Sequence, residues 1–199
     1  RITYQVNKKG VGKIRKTVYI SGFEKCNVSE GKAGYFEDKV KPDWVQCAAD
    51  TQSNQIVFRL KLPSGYGVSY LSYNYRKLNA KLNSVKNKGT YDLSRSPKLQ
   101  MAHINSGLSP LCAFQSFTVK GKSLYLCGGN FGLGGQIYVI NYKIQKNGKV
   151  KEQDIESISK MSKIITIDPV ITIDDASYNK NYLEIEGIKV RKSGSKVDC

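Results

Sequence analysis

The sequence predicts a mainly β protein, either an antiparallel β-sandwich or an α+β domain with two or three short helices, held by disulfide bonds. Short segments rich in β-branched and aromatic residues recur along the chain, with turn residues between them. Few of these segments are separated by a convincing crossover helix, which disfavours a doubly wound parallel sheet. The chain has 199 residues and five cysteines, and no Cys-x-x-Cys pair occurs, which favours disulfides over a zinc site.

The first sixty residues predict three strands and one helix. Residues 2–6 and 17–20 have strand composition, and the turn sequence at 7–10 gives a hairpin with a long basic tip. A proline that suits a first helical position, followed by apolar residues at helical spacing, predicts a short helix over 42–50. Residues 55–62 alternate apolar and basic side chains in their second half, which is typical of a half-buried strand with Arg59 and Lys61 on its solvent face.

The segment at 63–75 places four tyrosines among glycines and serines: Tyr66, Tyr70, Tyr73 and Tyr75. Tyrosine offers a large rigid ring and a hydroxyl, so this composition suits a binding loop. It equally suits an antiparallel strand with cross-strand aromatic pairs. Apolar residues then recur at helical spacing, which predicts a short basic helix over 76–86, and the polar stretch 87–107 is typical of a loop.

The second half predicts a cysteine-flanked hairpin and further strands. Cys112 and Cys127 bracket two apolar runs that meet at Lys120-Gly121, and a glycine-rich loop or bulge follows at 128–135. A helix is expected over 150–161, and strands at 136–144, 164–167, 170–173, 182–186 and 188–190. We expect one domain over 1–199, with a mobile tail at 192–199.

Positive charge is concentrated in the middle of the chain. The net charge is +16, and residues 51–151 contain fifteen Lys or Arg and a single acid, Asp92. Such a field attracts polyanions over a Debye length of roughly 8 Å at physiological salt. Candidate partners are an anionic glycan, a lipid surface or an acidic protein, whereas sequence-specific nucleic-acid recognition is unsupported because no known DNA- or RNA-reading motif occurs.

The cysteines suggest an oxidising compartment. We expect Cys26 to pair with Cys47 and Cys112 with Cys127, which leaves Cys199 free or joined to another chain, as in a covalent oligomer. Each loop could add roughly 3 kcal/mol of stability on the chain-entropy model. Five buried, reduced thiols in a cytosolic protein are the alternative. The chain begins at Arg1 without a methionine, so we expect a processed or trimmed form, and no apolar run is long enough to span a bilayer.

Catalytic candidates are few. His103 is the only histidine, so a mechanism that needs two imidazoles is excluded, although a carboxylate with one histidine is not. Glu184 and Glu186 would point to the same face of a strand, which could support acid–base chemistry or simply mark a solvated face. No pattern indicates a metal site or a cofactor.

The leading hypothesis is a secreted or surface-displayed binding module, extracellular or periplasmic, that engages an acidic glycan or another polyanionic surface. The expected contact residues are Tyr66, Tyr70, Tyr73, Arg76 and Lys77. Two alternatives remain open at this stage. One is an exported enzyme or toxin subunit that uses His103 or the Glu184/Glu186 pair, and the other is a structural subunit of a surface assembly.

Overall fold

The computed structural model describes residues 2–6, 8–26, 41–63, 67–106, 114–130, 134–145, 150, 152–154, 163–167, 171–173, 176–178, 187–193 and 196–198. Within these residues the chain is mainly β, with one α-helix and predominantly antiparallel sheets. The prediction of a mainly β protein is therefore confirmed. A disulfide is not shown, and the sandwich stays a prediction.

The strands are numbered in chain order and the helix is α1. They are β1 Ile2–Val6, β2 Gly12–Ser21, β3 Trp44–Asp50, β4 Gln55–Lys61, β5 Val68–Asn74, α1 Tyr75–Ser84, β6 Gly89–Asp92, β7 Gln100–Ser106, β8 Phe114–Lys120, β9 Ser123–Asn130, β10 Gly134–Asn141, β11 Glu152–Asp154, β12 Lys163–Ile167, β13 Ile171–Ile173, β14 Ala176–Tyr178, β15 Arg191–Ser193 and β16 Lys196–Asp198. Single 3-10 turns occupy Phe23–Lys25, Leu93–Arg95 and Pro97–Leu99.

Two sheets form the body of the protein. One has five strands in the order β11-β7-β5-β4-β3, and the other has four in the order β12-β10-β9-β8. Within them only the β11–β7 pair is parallel. A third sheet, β1-β2-β6, joins the N-terminal hairpin to the segment after α1, and β13–β14 and β15–β16 are separate two-stranded pairs.

The five-stranded sheet has a hydrophobic core on each face. The first core takes side chains from this sheet and from the four-stranded sheet, including Val57, Tyr70, Ile104, Leu124, Leu126 and Ile140. The second core packs the opposite face against α1, β2 and the 3-10 turns, and it includes Phe58, Leu60, Leu71, Tyr73, Leu78, Leu82, Val18, Phe23 and Leu93. The alternation of side chains along β4 and β5 explains why consecutive residues enter different cores.

Polar contacts join the two large sheets at one end. The carboxylate of Asp50 accepts hydrogen bonds from the backbone N–H of Gly121 and from Ser53, and it lies 3.6 Å from the ammonium of Lys120. The Gln55 amide donates to the Gly121 carbonyl, and its oxygen accepts from Tyr142 at 2.7 Å. Because these groups are buried, they need partners, and the β8–β9 turn supplies several of them.

Two predicted elements are confirmed with small shifts. The basic helix expected over 76–86 is α1, and the hairpin expected around Lys120-Gly121 is β8–β9. Its turn consists of Gly121 and Lys122, and Gly121 has φ of 59°, a left-handed conformation that favours glycine.

The helix predicted over 42–50 is wrong, because these residues form the edge strand β3. Seven consecutive residues of β3 pair with β4, from Trp44 opposite Lys61 to Asp50 opposite Gln55. A helix of nine residues is marginal on its own, whereas strand pairing satisfies the backbone hydrogen bonds against an existing neighbour. The apolar spacing that suggested a helix also fits a strand, with Ala48 against the first core.

Three other predictions fail or fall outside the description. The loop expected over 87–107 contains β6 and β7; the polar residues His103 and Asn105 are buried in β7, which weakened its apolar signal. Part of the helix expected over 150–161 is the strand β11, and the rest except Val150 lies outside the described residues. Residues 188–190 have no regular structure, and 182–186 are outside the description. The mobility expected of the tail at 192–199 stays a prediction, and β15 and β16 include residues of this segment.

Candidate functional site

The N-terminal hairpin and the end of α1 are joined into one surface. The Lys16 ammonium donates to the carbonyl of Asn83 at 2.6 Å. The backbone N–H of Thr17 donates to Asn87 Oδ1 at 2.9 Å, and the backbone N–H of Lys88 donates to the Thr17 carbonyl at 2.7 Å. Parallel pairing of β2 with β6 continues this junction from Val18 opposite Gly89. Residues about seventy positions apart in sequence are therefore held side by side.

The start of α1 is anchored so that its basic residues face solvent. The Asn74 side chain caps the helix by accepting from the Lys77 N–H at 3.0 Å, and the Asn54 side chain accepts from the Arg76 N–H at 2.8 Å. Leu78 and Leu82 are buried in the second core, which orients the helix. Arg76, Lys77 and Lys81 are consequently exposed, with Lys77 and Lys81 one turn apart.

We define the basic track as eight residues that run from the start of α1, past its end, to β2: Arg76, Lys77, Lys81, Lys86, Lys88, Lys16, Arg15 and Lys13. All are exposed except Lys16, which is half-buried. No acidic residue occurs in the sequence from 8 to 23 or from 51 to 91. A surface that carries one sign of charge attracts polyanions and positions them along its length.

The nearest acid in sequence to the track is already engaged with cations. The Asp92 carboxylate lies 4.0 Å from Lys25 Nζ and 3.9 Å from Arg95 Nε. Its pKa is lowered, chiefly by the hydrogen bond from the Ser94 side chain, so it carries its charge at neutral pH. Asp92 therefore pairs with Lys25 and Arg95, which are not members of the basic track.

The hairpin adds an irregularity and exposed apolar residues. Thr3 pairs with Lys16 and Tyr4 with Ile14, which leaves Arg15 as an additional residue of β2. Such a bulge increases the local twist and redirects side chains. Val11 and Ile14 are 62% and 63% exposed, so apolar side chains stand among the cations of the hairpin.

The tyrosines predicted as contact residues lie elsewhere. Tyr70 and Tyr73 are each 1% exposed, Tyr70 in the first core and Tyr73 in the second, so their rings are not available to a partner at the surface. Burial raises the pKa of Tyr70 to about 12 and that of Tyr73 well above its usual value. Both lie in the antiparallel strand β5, as the alternative interpretation of this segment expected for them: Tyr73 meets Phe58 of the neighbouring strand edge to face, and Tyr70 meets Phe117 of the other large sheet. Tyr66 lies outside the described residues.

The catalytic candidates do not form an accessible site within the described residues. His103 Nε2 lies 2.9 Å from Ser69 Oγ, a distance at which a base could act on a hydroxyl. Ser69 is completely buried and His103 is 4% exposed, so a substrate could reach the pair only if the sheet opened. Burial lowers the pKa of His103 to about 4, which keeps the imidazole neutral at pH 7. Glu184 and Glu186 lie outside the described residues.

Three cysteines are described, and each carries a free thiol: Cys26, Cys47 and Cys127. Cys26 packs against the second core and donates to the Gly22 carbonyl at 3.2 Å, while Cys47 is exposed on β3 opposite Phe58. Burial raises the pKa of all three thiols above the usual value. Cys112 and Cys199 lie outside the described residues.

A surface pocket of about 470 Å³ lies between β2, the Phe23–Lys25 turn and β3. Its apolar lining includes Val18, Phe23 and Phe58, and its charged residues are Glu24 and Lys41, one of each sign. This lining shows no preference for anions, in contrast to the basic track.

Within the described ranges, no group of three or more His, Cys, Asp or Glu residues could hold a metal ion. Likewise, none of the helices described is long and apolar enough to cross a bilayer.

Comparison of the chain with protein-family models, with curated proteins and with solved structures found no significant match.

Sequence reasoning found one end of the basic track and missed the other. Arg76 and Lys77 were expected as contacts, and both are exposed at the start of α1. Lys13, Arg15 and Lys16 were visible only as part of a basic hairpin, because their proximity to α1 depends on the pairing of β2 with β6. The positions of three basic residues within a hairpin do not reveal which distant element that hairpin packs against.

Proposed function

We propose that this chain is a secreted or surface-displayed binding module that engages an anionic partner, an acidic glycan or another polyanionic surface, through the basic track. The observation that carries the proposal is the contact between Lys16 and the Asn83 carbonyl, which joins two basic segments into one surface. Separate clusters of three to five cations would each bind a polyanion weakly. A continuous track presents them to one chain of charges at the same time.

The scaffold that we propose for this surface is a β-sandwich. One core takes side chains from both the five-stranded and the four-stranded sheet, which supports that arrangement. The second core then fixes α1 and β2 against the outer face of the five-stranded sheet. Because the basic residues sit on elements held by a packed core, the charge pattern is rigid, which reduces the entropic cost of binding.

An oxidising compartment is part of the proposal. Cys26 packs against the second core, and Cys47 is paired across the sheet with Phe58, whose ring lies 5.2 Å from that of Phe23. Both thiols therefore lie on the same side of the five-stranded sheet, as a Cys26–Cys47 bridge would need. Thiol counting by mass spectrometry, with and without reductant, tests this part: five alkylated cysteines in the unreduced native protein would refute it.

The test of the binding function compares two variants of equal net charge. In the track variant, Lys81, Lys86 and Lys88 are replaced by Glu. In the control variant, three exposed lysines outside the track are replaced by Glu, namely Lys98, Lys122 and Lys143. On a heparin column, we expect the track variant to elute at clearly lower NaCl than the control variant, with the wild type retained longest. Equal elution of the two variants, or no retention of the wild type at low salt, would refute the proposal.

A further inference from the structure

A buried arginine lies where the edges of the two large sheets meet. Arg59 on β4 is 6% exposed and points toward the first core, between Gln46 of the edge strand β3 and Phe114, the first residue of β8. Its guanidinium carbon lies 3.6 Å from the centre of the Phe114 ring, a cation–π contact. Both covering residues, Gln46 and Phe114, are only half-buried, so the guanidinium is close to solvent at the edge between the sheets.

The guanidinium has few partners for a buried charge. One terminal nitrogen donates to the neutral Gln46 Oε1 at 3.1 Å, and Nε is buried without a hydrogen-bond partner. The hydroxyl of Tyr70 lies directly across the sheet on the next strand, and its interaction with the Arg59 guanidinium offsets part of the pKa rise that burial causes. A buried cation without a counterion is costly, and so is each buried polar atom without a partner.

Among the side chains that the structure describes, none of the ion pairs includes Arg59. The described ion pairs place Asp92 with Lys25 and Arg95, and Asp50 with Lys120. Asp92 is moreover the only acid in the sequence between residues 51 and 151, the stretch that forms most of both sheets. The site therefore has a buried cation whose Nε–H has no hydrogen-bond partner.

An exposed tryptophan stands beside this position. Trp44 is 66% exposed, and the strand register places it two residues before Gln46 on the same face of β3. Residues two apart in a strand are separated by about 7 Å. The Trp44 ring next to the Arg59 guanidinium suits a ligand that has a flat, partly apolar body and one negatively charged oxygen group.

We propose that Arg59 is the anion-binding residue of a sugar subsite, in which the carboxylate of an acidic sugar displaces Gln46 and the sugar ring lies against Trp44. The carboxylate accepts two parallel hydrogen bonds from Arg59, one from Nε–H and one from a terminal N–H. This two-donor geometry favours arginine over lysine. This subsite rests on the proposed function, since it assigns one sugar of the acidic glycan to a pocket away from the basic track.

Trp44 is the only tryptophan in the chain, so its fluorescence reports on this subsite alone. The probe is a tetramer of galacturonic acid, which carries carboxylates and no sulfate. We expect saturable quenching or a spectral shift of Trp44 in the wild type, and at least about tenfold weaker binding after Arg59→Met, equivalent to about 1.4 kcal/mol. Arg59→Lys keeps the positive charge but removes the paired N–H donors of the guanidinium, so this variant should bind with intermediate affinity. Thermal unfolding of both variants verifies that they fold.

The control variant is Lys61→Met, which removes an exposed cation directly opposite Trp44 and should change affinity by less than about twofold. An unchanged affinity in Arg59→Met, or no Trp44 response to the tetramer, would overturn the subsite. An equal response to tetraglutamate at the same concentration would also overturn it, because an acidic peptide would then be the ligand. The track variant with Lys81, Lys86 and Lys88 replaced by Glu should keep the Trp44 response, so failure of the track and failure of the subsite give different results.

Discussion

The Asp50 carboxylate, at the end of β3, accepts a hydrogen bond of 3.0 Å from the backbone N–H of Gly121, in the turn between β8 and β9. This contact joins the edge of one large sheet to the turn of the other. Burial alone would raise the pKa of Asp50, but hydrogen bonds from Gly121 and Ser53 and the charge of Lys120 lower it overall. The ionised form is therefore the one that the fold stabilises.

Replacing Asp50 with Ala should reduce the free energy of unfolding by roughly 2 kcal/mol, because the Gly121 N–H and the Lys120 ammonium would lose a charged partner. Urea denaturation at pH 7 measures the free energy of unfolding of the variant and of the wild type. The matched control is Asp43→Ala, an exposed acid just before β3, which should change stability by less than about 0.5 kcal/mol. Equal effects of the two substitutions would show that the Asp50 contacts do not hold the sheets together.

Gly22 and Gly10 provide a second matched pair. Both have a left-handed backbone, with φ of 83° and 78°, so alanine is strained at either position. A Cβ at Gly22 would also clash with the Asp92 carboxylate, whereas a Cβ at Gly10 meets nothing within 4 Å. We expect Gly10→Ala to cost about 1 kcal/mol and Gly22→Ala distinctly more, as measured by thermal or urea unfolding. Equal costs would contradict the placement of Asp92 against Gly22.

His103 should make stability depend on pH. Its pKa is lowered by burial to about 4 in the folded protein, against about 6.5 in the unfolded chain, so the unfolded state takes up the proton first as the pH falls. Stability is then complete above pH 6.5 and declines toward pH 4, by at most about 3 kcal/mol at 1.36 kcal/mol for each pH unit. Urea denaturation of the wild type and of His103→Gln between pH 4 and 7.5 tests this. A decline of the same size in both proteins would show that another group titrates.

The three described thiols should differ in reactivity. Cys47 is exposed, Cys26 is half-buried, and Cys127 is completely buried in β9. Attack requires both access and the thiolate, so after reduction we expect a thiol reagent at pH 8 to modify Cys47 first and Cys127 last. Peptide mapping by mass spectrometry after short exposure measures the order. Modification of Cys127 as fast as Cys47 would contradict the buried position of β9.

Local patterns in the sequence predicted those elements that carry their own signals. α1 has apolar residues at helical spacing and the capping residue Asn74, and the β8–β9 hairpin has a glycine at its turn. β3 was predicted as a helix, because nine residues with mixed apolar spacing fit both periods and only pairing with β4 distinguishes them. β7 was predicted as loop, because Asn105 and His103 are polar residues that tertiary packing buries.

For the candidate site, too, some features could be predicted from the local sequence and others depended on tertiary packing. Arg76 and Lys77 were expected as contacts because they directly follow the tyrosine-rich segment, and both are exposed. The burial of Tyr70 and Tyr73 was not, since a tyrosine-rich strand between two cores has the same composition as a binding loop. Arg59 was expected on the solvent face of its strand, and only the packing of β8 against the β3–β4 edge shows that it is buried.

The salt dependence of binding tests the central claim most directly. Calorimetric titration with a heparin hexasaccharide at several NaCl concentrations gives the affinity and its salt slope for the wild type and for the two triple-Glu variants. If the basic track binds the polyanion, the wild type weakens as salt rises, and the Lys81, Lys86 and Lys88 variant shows a weaker affinity and a shallower slope than the Lys98, Lys122 and Lys143 variant. Identical curves for the two variants would contradict the account, because the binding would then follow net charge and not the surface that joins α1 to β2.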